Sequence, residues 1–297
     1  METPRIAVAV VTMGNRPAEV DALLESVAKQ DLPPARIVIV GNGCPLPEFA
    51  RRLSLPGEVT VVELEENLGC PGGRNAAIAR LREFGDVDVV VELDDDGLLV
   101  DADVLRRVGE LYAADERLGI VGFRIADELG ETQQRHVPRV GKSDPMRGGY
   151  VTGFLGGGHA LRMAMLDGIG DWPAAFFFAH EETDLAWRAV DAGWRILYAP
   201  ELLLQHPKTS PARHAIYYRV NARNRVWLAR RRLPLVLVPV HLGVWMLLTL
   251  ARNRSASGLR AWFGGFAEGL REPAGERRAM SWRTVWRLTR LGRPPVV

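Results

Sequence analysis

Short runs of β-branched residues recur through the first two hundred residues, and segments with helical apolar spacing separate them. "RIAVAVVT" (Arg5–Thr12), "RIVIVG" (Arg36–Gly41), "EVTVVEL" (Glu58–Leu64) and "LGIVGFRI" (Leu118–Ile125) read as strands. "RPAEVDALLESVAKQ" (Arg16–Gln30), "GGRNAAIARLREF" (Gly72–Phe84) and a stretch around Asp103–Ala113 read as helices between them. Near-continuous Val/Ile runs lack the in–out alternation of a half-exposed sheet. They predict an α/β fold whose mostly parallel sheet is covered by helices on both faces. Such sheets bind ligands beyond the carboxyl ends of their strands.

One strand ends in a way that needs explaining. "VVVELDDDG" (Val89–Gly97) runs from an apolar stretch into three consecutive carboxylates. In an extended chain Asp94 and Asp96 point one way and Asp95 the other. Two carboxylates on one side can hold a hard cation such as Mg²⁺ or Mn²⁺, which offsets their repulsion and can bridge to a diphosphate. The plainer reading is a solvated acidic turn in which Asp96 caps the next helix. "GNGC" (Gly41–Cys44) and "NLGCPGGRN" (Asn67–Asn75) also fall at strand ends. The glycines of the second, followed by Arg74 at a helix start, suit an anionic ligand or an ordinary strand-to-helix loop. Neither a Walker loop nor G-x-G-x-x-G is present, which argues against a nicotinamide enzyme.

After about Ile125 the rhythm changes. "GKSDPMRGGYVTGFLGGGHALR" (Gly141–Arg162) is Gly-rich and loop-like. "HEETDLAWR" (His180–Arg188) puts Glu181, Glu182 and Asp184 at the start of a helix running to Gly193. There they favour the helix dipole, or one of them serves as a general base. The strand "WRILYAP" (Trp194–Pro200) follows, and "LLLQHP" (Leu202–Pro207) puts His206 at a strand end, either as a structural residue or as a metal ligand. Beyond about Lys208 the chain reads as helices: Ala212–Arg232, Leu235–Ala251, Leu259–Leu270 and Trp282–Leu291.

The whole chain of 297 residues carries a net charge of +2, which implies no partner, but its last quarter is rich in Arg and poor in acids. There "LPLVLVPVHLGVWMLLTLA" (Leu233–Ala251) is apolar over nearly a membrane's width, yet contains Pro234, Pro239, His241 and Gly243. Arginines flank it on both sides. Three readings stand: an interfacial helix at an anionic membrane, a buried helix, or a span. The Arg residues frame an apolar run, which is a poor nucleic-acid signature. Two cysteines, Cys44 and Cys70, have no metal-type spacing and point to a reducing compartment. The N-terminus reads as a first strand, without the features of a signal peptide.

Taken in order, these motifs resemble the family 2 glycosyltransferases of the GT-A fold. The resemblance spans roughly Ile6 to His206 and rests on "VTMGNR", "GNGC", "NLGCPGGRN", "LDDD", "GFLGGGHALR", "HEETDLAWR" and "LLLQHP". Each motif alone is weak and the ordered set is specific. "YYRVNARNRVWLARRRLP" (Tyr217–Pro234) further looks like the tail of the rhamnosyltransferase-like and galactofuranosyltransferase-like branch.

The resemblance implies a GT-A catalytic domain over residues 1–208 and a basic, apolar helical extension over 209–297. It implies an inverting, Mn²⁺- or Mg²⁺-dependent hexosyl or deoxyhexosyl transfer from a nucleotide-diphosphate sugar to a glycan or lipid-linked acceptor. "LDDD" matches the family's D-x-D element, so Asp94 and Asp96 would hold the metal and the donor, with Asp95 against the sugar. His206 matches a late metal ligand. Thr12, Arg16, Asn67, Gly69 and Arg74 would contact the nucleotide. Glu182 stands where the family has its catalytic base, with Glu181 and Asp184 as alternatives, and Trp172 and His180 would meet the acceptor. The family has an Asp where this chain has Gly41, so Asn42 would substitute and the base remains open among uridine, guanosine and thymidine. The basic tail adds peripheral contact at the cytoplasmic face of a membrane, or an apolar homodimer surface. Two other classes compete: a non-catalytic GT-A-like scaffold, and a nucleotidyltransferase, for which "VTMGNRPAE" is a poor match.

Overall fold

The computed structural model describes residues 3–46, 55–141, 143–208 and 216–297. One mixed sheet runs through the molecule in the order β3-β2-β1-β4-β8-β6-β9-β5. Here β1 is Ile6–Thr12, β2 Arg36–Asn42, β3 Glu58–Leu64, β4 Val89–Asp94, β5 Leu98–Leu99, β6 Leu118–Ala126, β7 Gly149–Tyr150, β8 Gly158–Arg162 and β9 Arg195–Gln205; β7 pairs on the side with β9. The first four strands by position are parallel, with Val10 of β1 opposite Ile39 of β2 and Leu93 of β4. These are the strands whose Val/Ile runs predict a doubly covered sheet.

Each face has its own core, as the period of two dictates. Val8, Val10, Ile37, Ile39 and Val91 face α1 (Pro17–Ala28) and α3 (Val104–Ala114), whose Val20, Leu23, Leu24, Leu105 and Val108 are fully buried. Ala7, Ala9, Val38, Val40 and Val90 face the other way. That side is covered by α2 (Gly69–Phe84), α4 (Met163–Ile169) and α5 (Glu181–Asp191). The same core takes in Val226, Trp227 and Leu228 of α6 (Tyr217–Arg232), Leu242 of α7 (Leu237–Arg252) and Val285 and Leu288 of α9 (Trp282–Arg290). α8 (Ala256–Arg271) packs along α6.

Three features depart from the sequence reading. The Gly-rich stretch is not all loop, because its end forms β8, wedged antiparallel between β4 and β6. β9 continues past Pro200 to Gln205, with a shift of register against β6 between Phe123 and Arg124. α3 begins at Val104, well beyond Asp96, so Asp96 does not cap it. The start of the helix read from Ala212 lies outside the described residues.

The apolar segment of residues 233–251 forms most of α7. Only His241 and Leu242 of that helix are buried, and Val240, Leu247 and Leu250 are exposed. Sixteen residues rise about 24 Å, short of the roughly 30 Å hydrocarbon core. No helix among the described residues is long and apolar enough to cross a membrane, so α7 is not a span.

Candidate active site

The carboxyl ends of β1, β2 and β4 open into a cavity of about 340 Å³. Thr12, Arg16, Asn42, Asn67, Gly69, Arg74 and Asp94–Asp96 line it, together with Phe177, Phe178 and His206. Asp94 ends β4, and Asp95 and Asp96 lie in a turn that Gly97 N closes by donating to Asp94 O at 3.0 Å. Asp94 and Asp96 turn towards His206, whose Nε2 is 3.0 Å from Asp96 Oδ1 and 3.8 Å from Asp94 Oδ2. Ligand atoms of these three residues all lie within 4.8 Å of one another. Asp95 turns away, accepting from Thr12 Oγ1 at 2.7 Å and from Arg16 Nη1 at 2.9 Å. Arg16 also donates to Asp96 at 2.6 Å. Arg16 is therefore engaged with the acidic turn and is not free towards a base.

Burial and charge compete in this cluster. Burial raises Asp95, and Thr12 and Arg16 only partly offset it. For Asp96 burial also acts upward, but the hydrogen bond and charge of His206 overcome it and hold the carboxyl below its usual range. Burial opposes charging of His206, yet Asp96 and Asp94 raise it above the ordinary imidazole value.

Arg74, in the first turns of α2, is almost wholly buried. Its Nη2 donates to Gly156 O at 2.6 Å and approaches Asp94 Oδ1 at 3.4 Å, while Nη1 has no partner among the described residues. Below it lies a polar knot that sequence reasoning missed. Glu92, two residues before the aspartates and 2% exposed, receives His159 Nε2 at 2.8 Å and Trp172 Nε1 at 3.3 Å. Arg74 Nε lies 3.6 Å from the same carboxylate. The available signal was a lone glutamate inside an otherwise apolar strand.

The loops between strands and helices are fixed by backbone demands. Gly41 stands where a side chain has no room, since a Cβ would lie 2.4 Å from Cys44 O. Asn42 lines the cavity with its side chain already engaged. Both its N–H donors are used, on Asn67 Oδ1 and Gly69 O, and its Oδ1 accepts from Leu68 N. Gly69 has φ +72°, and any Cβ there would strike Phe177 O. Cys44 and Cys70 are free thiols, both pushed upward by burial.

The three acids of α5 part company. Asp184 is fully buried and held by Arg188 at 2.8 Å and Arg232 at 2.7 Å, which removes it as a base. Glu181 is 2% exposed, and burial, with the charge of Glu182 added, pushes it up to about 8. Glu182 is half-buried and makes no hydrogen bond with a described side chain. A Cβ on Gly156 would sit 2.5 Å from Glu182 Oε1 and 3.1 Å from Arg74 Nη2, so the two side chains meet over that glycine. Of the two residues expected at the acceptor, Trp172 is buried against Glu92 and Arg74, and His180 lines a cleft separate from this cavity.

A strained segment connects these parts. Phe177, Ala179 and His180 all have positive φ, near 63–70°, although none is glycine. Asn224 of α6, fully buried, pins it: its Nδ2 lies 2.8 Å from Phe176 O, 2.8 Å from Phe178 O and 2.9 Å from Ala179 O. Nothing in the sequence marks this contact, which joins residues more than forty positions apart.

The model of the family described as "Glycosyl transferase family 2" matches residues 8–170, over half of the chain. The chain belongs to glycosyl transferase family 2. No curated protein sequence matches it. Among solved structures, this transferase is similar to S. aureus TarS, with 16% identity and a TM-score of 0.60 over 95% of its own length. It spans half the length of that TarS chain. A shorter TarS chain solved with UDP gives 18% identity and a TM-score of 0.61, covering 91% of this transferase and 82% of that chain. PcManGT, a mannosyltransferase from Pyrobaculum calidifontis solved with GDP-Man and Mn²⁺, gives 18% identity and a TM-score of 0.57. Coverage there is 98% of this chain and 85% of the other. These likenesses establish the GT-A fold.

Proposed function

We propose that this transferase moves a sugar from a nucleoside-diphosphate donor to a hydroxyl acceptor by one inverting displacement. The observation that carries the reading is the meeting of Asp94, Asp96 and His206 at a cavity that also holds the buried Arg74. The ligands in the solved relatives, UDP with TarS and GDP-Man with Mn²⁺ in PcManGT, support a nucleotide-sugar donor.

The donor set fits a divalent cation. Two carboxylates and one imidazole offer hard oxygens and a nitrogen suited to Mn²⁺ or Mg²⁺. His206 Nδ1–H donates to Pro207 O at 2.9 Å, which leaves Nε2 turned to the carboxylates. Bound there, such an ion supplies charge to offset a departing diphosphate. The remaining work falls to the chain. Arg74, buried and with Nη1 unpaired, holds the diphosphate by a charge-assisted hydrogen bond. Phe177 and Phe178 wall the donor against water. Glu182 takes the proton of the acceptor hydroxyl. The acceptor oxygen then bonds to the anomeric carbon from the face opposite the diphosphate. The bond from that carbon to the diphosphate breaks, and its electron pair leaves with the phosphate oxygen. Asp94→Ala and Glu182→Gln are each expected to lower nucleotide release by about 10² or more with the melting transition intact. Near-normal rates in both variants would sink the assignment.

The tail's likeness to the rhamnosyltransferase-like and galactofuranosyltransferase-like branch supports a glycan or lipid-linked acceptor. Division into a catalytic unit over residues 1–208 and a helical unit over 209–297 follows the same likeness, although the two share a core. Peripheral membrane contact is supported by the exposed Leu235, Val236 and Leu247 around α7. On α9 Trp282 and Trp286 are exposed beside Arg283 and Arg290. Tryptophan with arginine on one helix face suits an anionic membrane surface, at the cytoplasmic side.

A further inference from the structure

A second cleft, of about 80 Å³, lies between α5, α6, α7 and the segment 293–297. A water needs about 10–15 Å³ of such space, so the cleft has room for a small polyatomic group. Its lining is unusual in charge. Arg225 is 9% exposed and stacked 3.5 Å over the Trp245 ring, and Arg293 lies in the same wall. Among the described residues no side-chain carboxylate pairs with either arginine. Burial, only partly offset by Tyr217 and reinforced by Arg293, pushes Arg225 down to about 9, so its guanidinium is still charged at neutral pH.

Neutral polar atoms converge on the same space without partners among the described residues. They are Thr152 Oγ1, His180 Nε2, His241 Nε2 and Trp245 Nε1. His241 Nδ1–H donates to Pro295 O at 2.8 Å, so its Nε2 presents a lone pair. The cleft thus offers two cations, an indole donor, a hydroxyl and an imidazole acceptor. Folded proteins leave few buried polar groups unpaired, and unpaired buried charge is costlier still. Their gathering in one cleft indicates an oxyanion that carries or adjoins a hydroxyl group.

We propose that this cleft binds a phosphate group of the acceptor, with Arg225 and Arg293 as its cations; the assignment to the acceptor rests on the sugar-transfer reading above. His180 and Thr183 carry the cleft to the helix turn that bears Glu182. On its other side, Arg225 and Trp245 form a wall shared with an open cleft lined by Tyr217, Tyr218, Asn221 and Trp262. Aromatic faces with an amide suit a sugar ring, so a phosphate and its neighbouring sugar fit the two clefts together.

The test is binding of inorganic phosphate to the full chain in EDTA, read as the rise of the thermal midpoint against chloride at matched ionic strength. The wild type is expected to respond to phosphate beyond chloride. Arg225→Gln and Arg293→Gln are each expected to weaken that response by about tenfold to a hundredfold. Arg106→Gln, on the surface of α3, should keep it. Arg293 is only half-buried, so Arg293→Gln carries the test if Arg225→Gln fails to fold. A phosphate response no larger than that of chloride, or one unchanged in Arg293→Gln, overturns the site. Binding of phosphatidic acid vesicles over phosphatidylcholine vesicles, lost in Arg293→Gln, would assign a lipid headgroup. Binding of glycerol phosphate lost in the same variant, without a vesicle difference, would assign a glycan phosphate. Because turnover is not measured, failure here leaves sugar transfer standing. Phosphate binding in a chain that releases no nucleotide would instead remove the transfer reading alone.

Discussion

Asn224→Ala is a sensitive probe of how the helical extension shapes the active site. The Asn224 amide has two hydrogens for three carbonyl oxygens, those of Phe176, Phe178 and Ala179, all within 2.9 Å. Removing it takes the amide donor from Phe178 O and Ala179 O, while Phe176 O keeps Phe178 N and Arg223 Nη2; each buried hydrogen bond lost costs about 1–3 kcal/mol. The positive φ of Phe177, Ala179 and His180 stores strain of order 1–3 kcal/mol per residue, and its release offsets part of that loss. The net destabilisation is about 2–3 kcal/mol, a fall in melting midpoint of about 3–5 °C for a chain of 297 residues. The function should suffer more than the fold. Once relaxed, the segment moves Phe177 and Phe178 in the donor cavity and rotates the start of α5 that carries Glu182. A loss of about tenfold or more in kcat/KM is expected, equivalent to about 1.4 kcal/mol of transition-state stabilisation. The assay is a melt and a nucleotide-release rate on the same preparation, with Asn224→Asp beside it. That second variant sets a carboxylate against three carbonyl oxygens, replacing donors by acceptors, and should be worse on both counts. An Asn224→Ala protein with wild-type midpoint and rate would refute the reasoning.

Glu92→Gln should cost about 3 kcal/mol, because it leaves Arg74 and His159 without their buried carboxylate, and a double-mutant cycle with Arg74→Met should return a coupling of about 1–3 kcal/mol. Additivity in that cycle would show the knot to be incidental. Glu181 sets a pH dependence: burial and Glu182 push it up to about 8 from 4.5. Between those values the folded chain keeps a proton that the unfolded chain has lost. Its stabilising contribution is therefore complete below about pH 4.5 and is lost as pH rises through about 8. Melts of Glu181→Gln should lack that decline and lie above wild type at pH 8; parallel curves would count against it. Trp282→Ala with Trp286→Ala should weaken sedimentation with anionic vesicles, and equal sedimentation would move the membrane face elsewhere.

Much of the fold was legible because burial on both sides of a sheet leaves a composition trace. The Val/Ile runs of β1, β2 and β4 pair as their pattern implies. The meeting of Asp94 and Asp96 was expected from strand period, but a turn beyond the end of β4 brings it about. β8 left no such trace. It is five residues long, opens on a glycine, and is a strand only because β4 and β6 hold both its edges. The two strand segments read on either side of Pro200 are one strand, because Pro200, which reads as a stop, sits at the register shift. The directions in which Trp172 and Asp184 face were not legible, for one shared reason. Proximity in sequence to the base-bearing helix does not fix which way a side chain faces. Asp184 turns inward to two arginines, one of them from α6, and no local pattern could reveal that partner. The departure at Gly41 has a local cause in the close approach of Cys44 O, visible only once the loop is folded.

The most direct measurement is thermal stability with UDP, GDP, dTDP, CDP and ADP, each with Mn²⁺, with Mg²⁺ and with EDTA, in wild type and in Asp96→Ala. A ligand at a hundred times its Kd adds about 2.7 kcal/mol by mass action, a shift of about 4–5 °C. The expected result is a rise with one nucleotide that requires the metal and vanishes in Asp96→Ala. A rise that survives EDTA and Asp96→Ala alike, or no rise with any nucleotide in folded protein, would contradict a metal-assisted donor site at Asp94, Asp96 and His206.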